Sequence, residues 1–333
     1  MVFGVAAVVV MLLTFDVSPA QIADMLRRTG IIFPLCVLLW LVIYIMNAVS
    51  WRVIINHNGD EKVPFGPVFR MTISGFALNY TTPFGLMGGE PYRILELTPY
   101  TGVERATGSV VLYVMMHIYS HFWFWMSAVV LYVILHFAAP GKYLLPVSFI
   151  IAFVLFAAVF VLMLYLFGKG YRNGFLLKFL RFLGKFPLIG KPITRFTDNN
   201  IRKISDTDNQ IADLHACGKS AFFWSLFLEF AARAAGCLEY WLIMCNLVPQ
   251  STYFDAYLIV AFSSLFSNIL FFIPMQMGSK EGSVAMASSG LAIGGPVGLF
   301  TALVTRVREA IWIIIGVVLM FCNKKRTCER TDI

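Results

Sequence analysis

An apolar stretch interrupted by proline and glycine most restricts how this chain can fold. Residues Asn79 to Arg93 read NYTTPFGLMGGEPYR, and within nine positions they hold five residues that disfavour a helix: Pro83, Gly85, Gly88, Gly89 and Pro91. The whole chain is 59% hydrophobic and only 13% charged, which is the composition of a polytopic membrane protein. Irregular backbone at membrane depth is tolerated only where protein buries it or water reaches it. We therefore predict a re-entrant element that lines a site.

A second interrupted stretch lies near the other end of the chain. Residues Asn268 to Ser283 read NILFFIPMQMGSKEGS. In each stretch a proline precedes a glutamate by seven residues, with glycine between them: Pro83 and Glu90 in the first, Pro274 and Glu281 in the second. We interpret the two stretches as halves of one site.

The distribution of positive charge predicts the orientation in the membrane. The net charge of +8 is explained by basic cytoplasmic loops, and it implies no nucleic-acid partner. Nine lysines and arginines but one aspartate lie between residues 168 and 203, so we predict that residues 168–218 form a basic cytoplasmic loop with amphipathic helices. This loop either binds an anionic leaflet or only fixes topology. Three basic residues after the last span place the C-terminus in the cytoplasm as well: Lys324, Lys325 and Arg326.

The apolar segments predict an all-α protein, organised as one integral-membrane domain over residues 1–333. Spans are expected at residues 2–15, 31–49, 107–137, 144–167, 219–248 and 300–321. For the predicted loops to lie on consistent sides of the membrane, residues 64–97 and 253–293 must each enter the membrane and leave it on the same face. Two such hairpins from opposite faces predict an inverted repeat, in which transporters place a substrate site.

Three motifs resemble the signatures of the lysylphosphatidylglycerol synthase transmembrane family, also called flippase-like domain proteins. They are GGEPYR at 88–93, PMQMGSKEG at 274–282 and TRVREAIWIIIG at 305–316. The family pattern T-P-x-G-x-x-G-G-E-x-x-R is matched in full by Thr82, Pro83, Gly85, Gly88, Gly89, Glu90 and Arg93. The pattern P-G-G-x-G-x-R-E-G is matched in part, by Pro274, Gly278, Glu281 and Gly282. Met275 and Gln276 stand where glycines are common, and Lys280 stands where arginine is common.

The resemblance covers nearly the whole chain and implies a multi-pass protein of the bacterial inner membrane with a lipid-related role. The family includes the flippase portion of enzymes that make and translocate aminoacyl-phosphatidylglycerol. We expect no counterpart of their soluble aminoacyltransferase domain here, and hence no synthase activity and no cofactor.

Charges inside the membrane are predicted to pair or to face water, because each costs about 2.5 to 3.5 kcal/mol at a helix centre on insertion scales. Glu229 and Arg233 are four residues apart, so they can meet on one helix face. We predict a structural ion pair between them, and a functional role is the alternative. Arg306 and Glu309 are three residues apart and can meet in the same way.

A lipid headgroup that crosses the bilayer brings a phosphate, for which Arg93, Lys280 and Arg306 are the predicted donors. Glu90 and Glu281 either meet an amino headgroup or a coupling proton, or cap their own broken helices. The predicted substrate-binding residues are Asn79, Thr82, Pro83, Gly88, Gly89, Glu90, Arg93, Asn268, Gly278, Lys280, Glu281, Arg306 and Glu309. Four polar residues have an alternative role, which is to satisfy the backbone groups that the breaks leave free: Asn79, Thr82, Asn268 and Ser279.

His117 and His121 are four residues apart, which is a spacing seen in metal sites. No carboxylate lies between them and no third ligand is evident, so we favour packing among aromatic side chains. The six cysteines form no paired motif and indicate neither zinc nor a disulfide framework.

These patterns lead us to expect a lipid translocator whose hairpins form a midplane cavity for an anionic phospholipid or aminoacyl-lipid headgroup. Two alternatives stay open. One is an integral-membrane transferase with Glu90 or Glu281 as base, and the other is a non-catalytic partner of a separately encoded lipid enzyme. Homo-oligomerisation also stays open.

Overall fold

The computed structural model describes residues 19–57, 62–81, 88–139, 143, 157–162, 177–178, 180–181, 184–185, 190–199, 201–202, 204–205, 208–209, 219–269, 276 and 278–331. No β-strand occurs among these residues, which confirms the all-α prediction. The predicted span at 2–15, most of the span at 144–167 and much of the 168–218 loop lie outside the described residues. So do several residues of the two motifs: Thr82, Pro83, Gly85, Pro274 and Met275.

Ten helices have defined bounds in the described part of the chain. They are α1 Pro19–Thr29, α2 Ile32–Ile55, α3 Phe65–Thr81, α4 Gly89–Thr101, α5 Val103–Ala138, α6 Gly190–Asn199, α7 Lys219–Leu247, α8 Tyr253–Ile269, α9 Ser279–Gly290 and α10 Gly295–Thr331. Helices α2, α5 and α7 are long and apolar enough to cross a membrane, and α8 is apolar but shorter. The chain is therefore a polytopic membrane protein.

Both interrupted stretches break a helix at the predicted places. Helix α3 ends at Thr81 before α4 begins at Gly89, and α8 ends at Ile269 before α9 begins at Ser279. A glycine with positive φ then separates each short helix from a long one: φ is 79° at Gly102, before α5, and 107° at Gly294, before α10. Glycine fits these positions because it has no Cβ to clash in the left-handed region.

The helix lengths are similar in the two halves of the chain. Helices α2 to α5 contain 24, 17, 13 and 36 residues, and α7 to α10 contain 29, 17, 12 and 37. The packing partners correspond as well, because α3 packs on α10 while α8 packs on α5, and α2 packs on α7. Exchanging the two halves thus leaves the pattern of contacts unchanged, as expected for a repeat. The opposite orientation of the halves stays a prediction.

Each half has its own apolar core. The first core is formed by α2 to α5 around Trp51, Met71 and Leu97, all of which are fully buried. The second is formed mainly by α5 and α7 to α10, around Met244 and Ile259.

The halves join through small residues. Ser50 of α2 and Ser225 of α7 share a hydrogen bond, with 2.8 Å between their Oγ atoms. Ser74 of α3 donates to the carbonyl of Gly316 in α10 at 3.0 Å. A Cβ at position 316 would lie 2.7 Å from the Ile73 carbonyl oxygen, so the absence of a side chain allows α3 and α10 to approach closely.

Candidate functional site

At the first helix break, Asn79 of α3 closes the N-terminus of α4. The backbone N–H of Gly89 donates to Asn79 Oδ1 at 2.6 Å, and Asn79 Nδ2 donates to Glu90 Oε1 at 3.2 Å. Arg93 Nη1 contacts the same oxygen of Glu90 at 3.4 Å. The side chain of Asn79 therefore caps α4, which agrees with its predicted alternative role of satisfying backbone groups. Glu90 is instead the partner of Asn79 and Arg93. Gly88 directly precedes the helix as its N-cap residue.

The guanidinium of Arg93 is enclosed by aromatic rings and backbone. Its central carbon lies 5.8 Å from the ring centroid of Trp51 and 5.4 Å from that of Tyr113, within cation–π range. The residue is only 6% exposed, and its Nε has no hydrogen-bond partner among the described residues. Gly75 leaves the space that this group fills, since a Cβ there would lie 2.5 Å from Arg93 Nε. Arg93 is thus a buried cation with donor capacity to spare.

At the second break, four charged side chains form one network. Glu281 Oε2 accepts from the backbone N–H of Gly278 at 2.9 Å, and Glu281 Oε1 accepts from Arg306 Nε at 2.6 Å. Arg306 Nη1 donates to Glu309 Oε2 at 3.0 Å, and Lys280 Nζ pairs with the other oxygen of Glu309. Glu281 therefore caps α9, which is one of its two predicted roles, and it also pairs with a buried cation.

Gln276 keeps the backbone shape that glycine favours at this position in the family pattern. Its φ is 54°, in the left-handed region. Its carbonyl oxygen accepts hydrogen bonds from Arg306 Nη2 at 3.1 Å and from Ser279 Oγ at 3.0 Å. These bonds hold the turn despite the side chain, at a local cost of about 1–2 kcal/mol for a non-glycine residue in this conformation. Lys280, in place of arginine, contacts one carboxylate as a point charge.

A third network joins α2, α7 and α10. Arg308 Nε and Nη2 donate to the two oxygens of Glu239 at 2.8 and 2.7 Å, and Trp40 Nε1 donates to Glu239 Oε2 at 2.7 Å. The guanidinium carbon of Arg308 lies 3.8 Å from the Trp40 ring centroid. Arg308 Nη1 lies 3.9 Å from Glu309 Oε1, which links this network to the second break. Glu239 and Arg308 were not among the predicted site residues, although charge inside an apolar helix was a usable signal for both.

The structure does not bring Glu229 and Arg233 into the predicted ion pair. Glu229 Oε2 lies 2.8 Å from His117 Nδ1. Arg233 donates to Ser120 Oγ at 2.9 Å, to His121 Nε2 at 2.7 Å and to the His117 carbonyl at 2.9 Å. Glu229 and Arg233 both lie on α7 and contact α5. Their partners on α5 are closer to them than they are to each other. No ion pair within 4 Å joins Glu229 to Arg233.

His117 and His121 make the aromatic contacts that the sequence favoured, and polar contacts that it missed. The His117 and Tyr113 ring centroids are 6.4 Å apart, and those of His121 and Trp125 are 5.4 Å apart. No group of three or more His, Cys, Asp or Glu suited to a metal occurs among the described residues. Helical spacing revealed only local neighbours, whereas the polar partners are over 100 residues away along the chain.

The remaining predicted residues differ in how far they join these networks. Asn268 Nδ2 donates to the Ser264 carbonyl of its own helix at 2.7 Å, in agreement with a role in satisfying backbone groups. Tyr80, next to Asn79 at the first break, interacts electrostatically with Lys280 and Glu309 of the second.

Comparison with known proteins agrees with the family resemblance of the motifs. The family model described as "Lysylphosphatidylglycerol synthase TM region" matches residues 1–316. No curated protein and no solved structure matches the chain. The family match includes both interrupted stretches and the whole of the third motif. The chain therefore belongs to the lysylphosphatidylglycerol synthase transmembrane family.

Proposed function

We propose that this protein is a lipid translocator, which moves a phospholipid or a lipid with a related polar headgroup across the bacterial inner membrane. Membership of the family supports a lipid-related role in a membrane. The lipid changes sides without covalent modification, so the protein acts as a transporter and not as an enzyme. Its tails stay in the bilayer while its headgroup follows a polar path between the two helix breaks.

The observation that carries this proposal is the charged network at the second break. Lys280, Arg306, Glu281 and Glu309 are largely buried in an otherwise apolar bundle. Charges at such depth are costly and are typical of substrate or ion pathways. The same four residues supply both signs of charge, which suits a headgroup that carries a phosphate together with an amine or hydroxyl.

Exchange of partners explains how such a headgroup passes. A phosphate that approaches Arg306 and Lys280 replaces the carboxylate oxygens as the acceptor of their N–H groups. The released carboxylates of Glu281 and Glu309 then accept from the donors of the headgroup. Each charge keeps a partner throughout, which avoids the penalty of leaving a buried charge uncompensated.

The short helices support a path that opens within the bilayer. Helices α4 and α9 contain 13 and 12 residues. At a rise of 1.5 Å per residue they are about 20 Å long or less, which is shorter than the roughly 30 Å hydrocarbon core. Such helices end at membrane depth if they enter it, so their polar ends meet the site and not the bulk solvent.

Lipid sidedness in proteoliposomes tests the proposal. Vesicles carry phosphatidylglycerol, phosphatidylethanolamine or lysyl-phosphatidylglycerol labelled on an acyl chain, and dithionite bleaches the outer leaflet. We expect that the purified protein lets the inner pool bleach for at least one headgroup, and that thin-layer chromatography shows the lipid unchanged. Bleaching equal to that of protein-free vesicles for all three lipids contradicts translocation. A new covalent lipid product would support the transferase alternative.

A further inference from the structure

Five polar residues in the middle of α5 and α7 form a cluster that the helix breaks do not include. This α5–α7 cluster consists of His117, Ser120, His121, Glu229 and Arg233. His117 is the fifteenth of 36 residues in α5, and Arg233 is the fifteenth of 29 in α7. Both helices are candidate membrane spans, so the cluster lies near the middle of each span.

The hydrogen bonds fix how the two histidines are oriented. Arg233 can only donate, so His121 Nε2 accepts at 2.7 Å and the His121 proton is on Nδ1, which donates to the His117 carbonyl at 3.1 Å. His121 is therefore a neutral support for Arg233. His117 Nδ1 donates to the carboxylate of Glu229 at 2.8 Å, which leaves His117 Nε2 for another partner.

The cluster is open on one side. The side chain of His117 is 45% exposed, whereas that of Glu229 is 1% exposed. Ionisable groups in the middle of a span almost always face a bundle interior or a water-filled cavity and not lipid. His117 is thus the accessible member of this pair and Glu229 the buried one, and by this tendency the exposed edge of the imidazole faces water.

The cation in the cluster is less fully paired than the cations at the second break and in the third network. Lys280, Arg306 and Arg308 each form an ion pair with a glutamate within 4 Å. Arg233 has no such pair in the described part of the chain, because Glu229 is turned to His117. The contacts of Arg233 use three N–H groups, and a guanidinium has five. A positive charge with spare donors thus lies beside an open imidazole.

We propose that the α5–α7 cluster is a phosphate-binding site in which Arg233 and His117 donate to the ligand, His117 as an imidazolium whose Nδ1–H stays on Glu229 and whose Nε2–H points to the phosphate. Glu229 and His121 act as positioning residues behind them. The site deepens the proposed function and rests on it, since a phosphate bound here belongs to the lipid in transit. Tyr113 lies between His117 and Arg93, so the site adjoins the buried cation of the first break.

Ligand binding to the purified protein in a non-ionic detergent tests the site. The probes are dioctanoyl-phosphatidylglycerol, dioctanoylglycerol, which lacks the phosphate, and inorganic phosphate, with affinity measured by microscale thermophoresis. We expect the wild type to bind phosphatidylglycerol and not dioctanoylglycerol. Arg233→Gln and His117→Gln each weaken this binding by about tenfold or more, because a charge-assisted or polar contact to the phosphate is lost.

The matched control is Arg28→Gln, which removes one positive charge from α1, where the side chain is 67% exposed. This variant keeps wild-type affinity. Melting curves without ligand confirm that each variant is folded. Because His117 is half-exposed, His117→Gln is expected to disturb the fold less than Arg233→Gln. Tighter binding of phosphatidylglycerol than of inorganic phosphate assigns the site to lipid, and the reverse order assigns it to the free ion.

Equal affinity for phosphatidylglycerol in the wild type and in folded Arg233→Gln and His117→Gln overturns the site. Binding of dioctanoylglycerol as tight as that of phosphatidylglycerol overturns it too, since the phosphate would then contribute nothing. The assay needs no transport, so its failure is distinct from failure of the proposed function. If phosphatidylglycerol binds as expected but is not translocated, only the proposed function is contradicted.

Discussion

At the scale of single residues, the position of Arg93 depends on the lack of a side chain at residue 75. Gly75 of α3 faces the Arg93 guanidinium, and the neighbouring Gly89 lies against the Gly75 carbonyl. The sequence showed that Gly89 disfavours a helix, but gave no reason for Gly75 inside one. Its reason is tertiary, because the space belongs to a side chain 18 residues further along the chain.

We predict that Gly75→Ala destabilises the protein and displaces Arg93. The new methyl group would lie 2.5 Å from Arg93 Nε, and such overpacking costs about 1–3 kcal/mol. The matched control is Gly66→Ala in the same helix, where a Cβ meets nothing within 4 Å. Thermal melting in detergent should show a lower midpoint for Gly75→Ala and an unchanged or higher one for Gly66→Ala. Equal midpoints for the two variants would contradict this view of the first break.

At the scale of elements, the two helices that follow the breaks have their N-termini capped by different residues. The N-terminus of α9 is capped by its own Glu281, whereas that of α4 is capped by Asn79 from the preceding helix. The equal proline-to-glutamate spacing predicted where both helices break. It did not predict the different caps, because a cap depends on which side chain lies against the free N–H groups and not on spacing along the chain.

The Arg308–Glu239 pair should couple α10 to α7 strongly. Both residues are almost fully buried and share two hydrogen bonds. Removing one partner leaves an uncompensated buried charge, which costs about 3–5 kcal/mol. We therefore expect Arg308→Met and Glu239→Leu each to lower the melting midpoint more than the double variant does. Additive losses in the double variant would show that the two charges do not depend on each other.

At the scale of the whole molecule, the structure is two similar four-helix halves, each with its own apolar core and its own helix break. The sequence predicted the all-α class, the family, the breaks and a repeat, since these follow from local composition and motif spacing. Contacts between distant segments were not accessible in this way. They include the α2–α7 joint, the partners of Arg308 and the separation of Glu229 from Arg233. The orientation in the membrane stays a prediction of the charge pattern.

The joint between the halves can be tested by cross-linking in the membrane. In a variant without native cysteines, Ser50→Cys with Ser225→Cys places two thiols where the hydroxyl oxygens are 2.8 Å apart. A protease site within residues 168–218 then cuts the chain between them. After oxidation we expect the fragments to stay joined without reductant and to separate with it. Either single-cysteine variant is the control, and separation of the oxidised double variant would contradict the α2–α7 contact.

The most direct test of the central claim is to ask whether both helix breaks are needed for translocation. Dithionite bleaching of acyl-labelled phosphatidylglycerol is compared for the wild type, Arg93→Gln at the first break and Arg306→Gln at the second, with Arg28→Gln as the exposed control. We predict bleaching of the inner pool by the wild type and Arg28→Gln, and at least tenfold slower bleaching by both buried variants when their melting curves show folded protein. Wild-type rates in folded Arg93→Gln and Arg306→Gln would contradict a headgroup path through the two breaks.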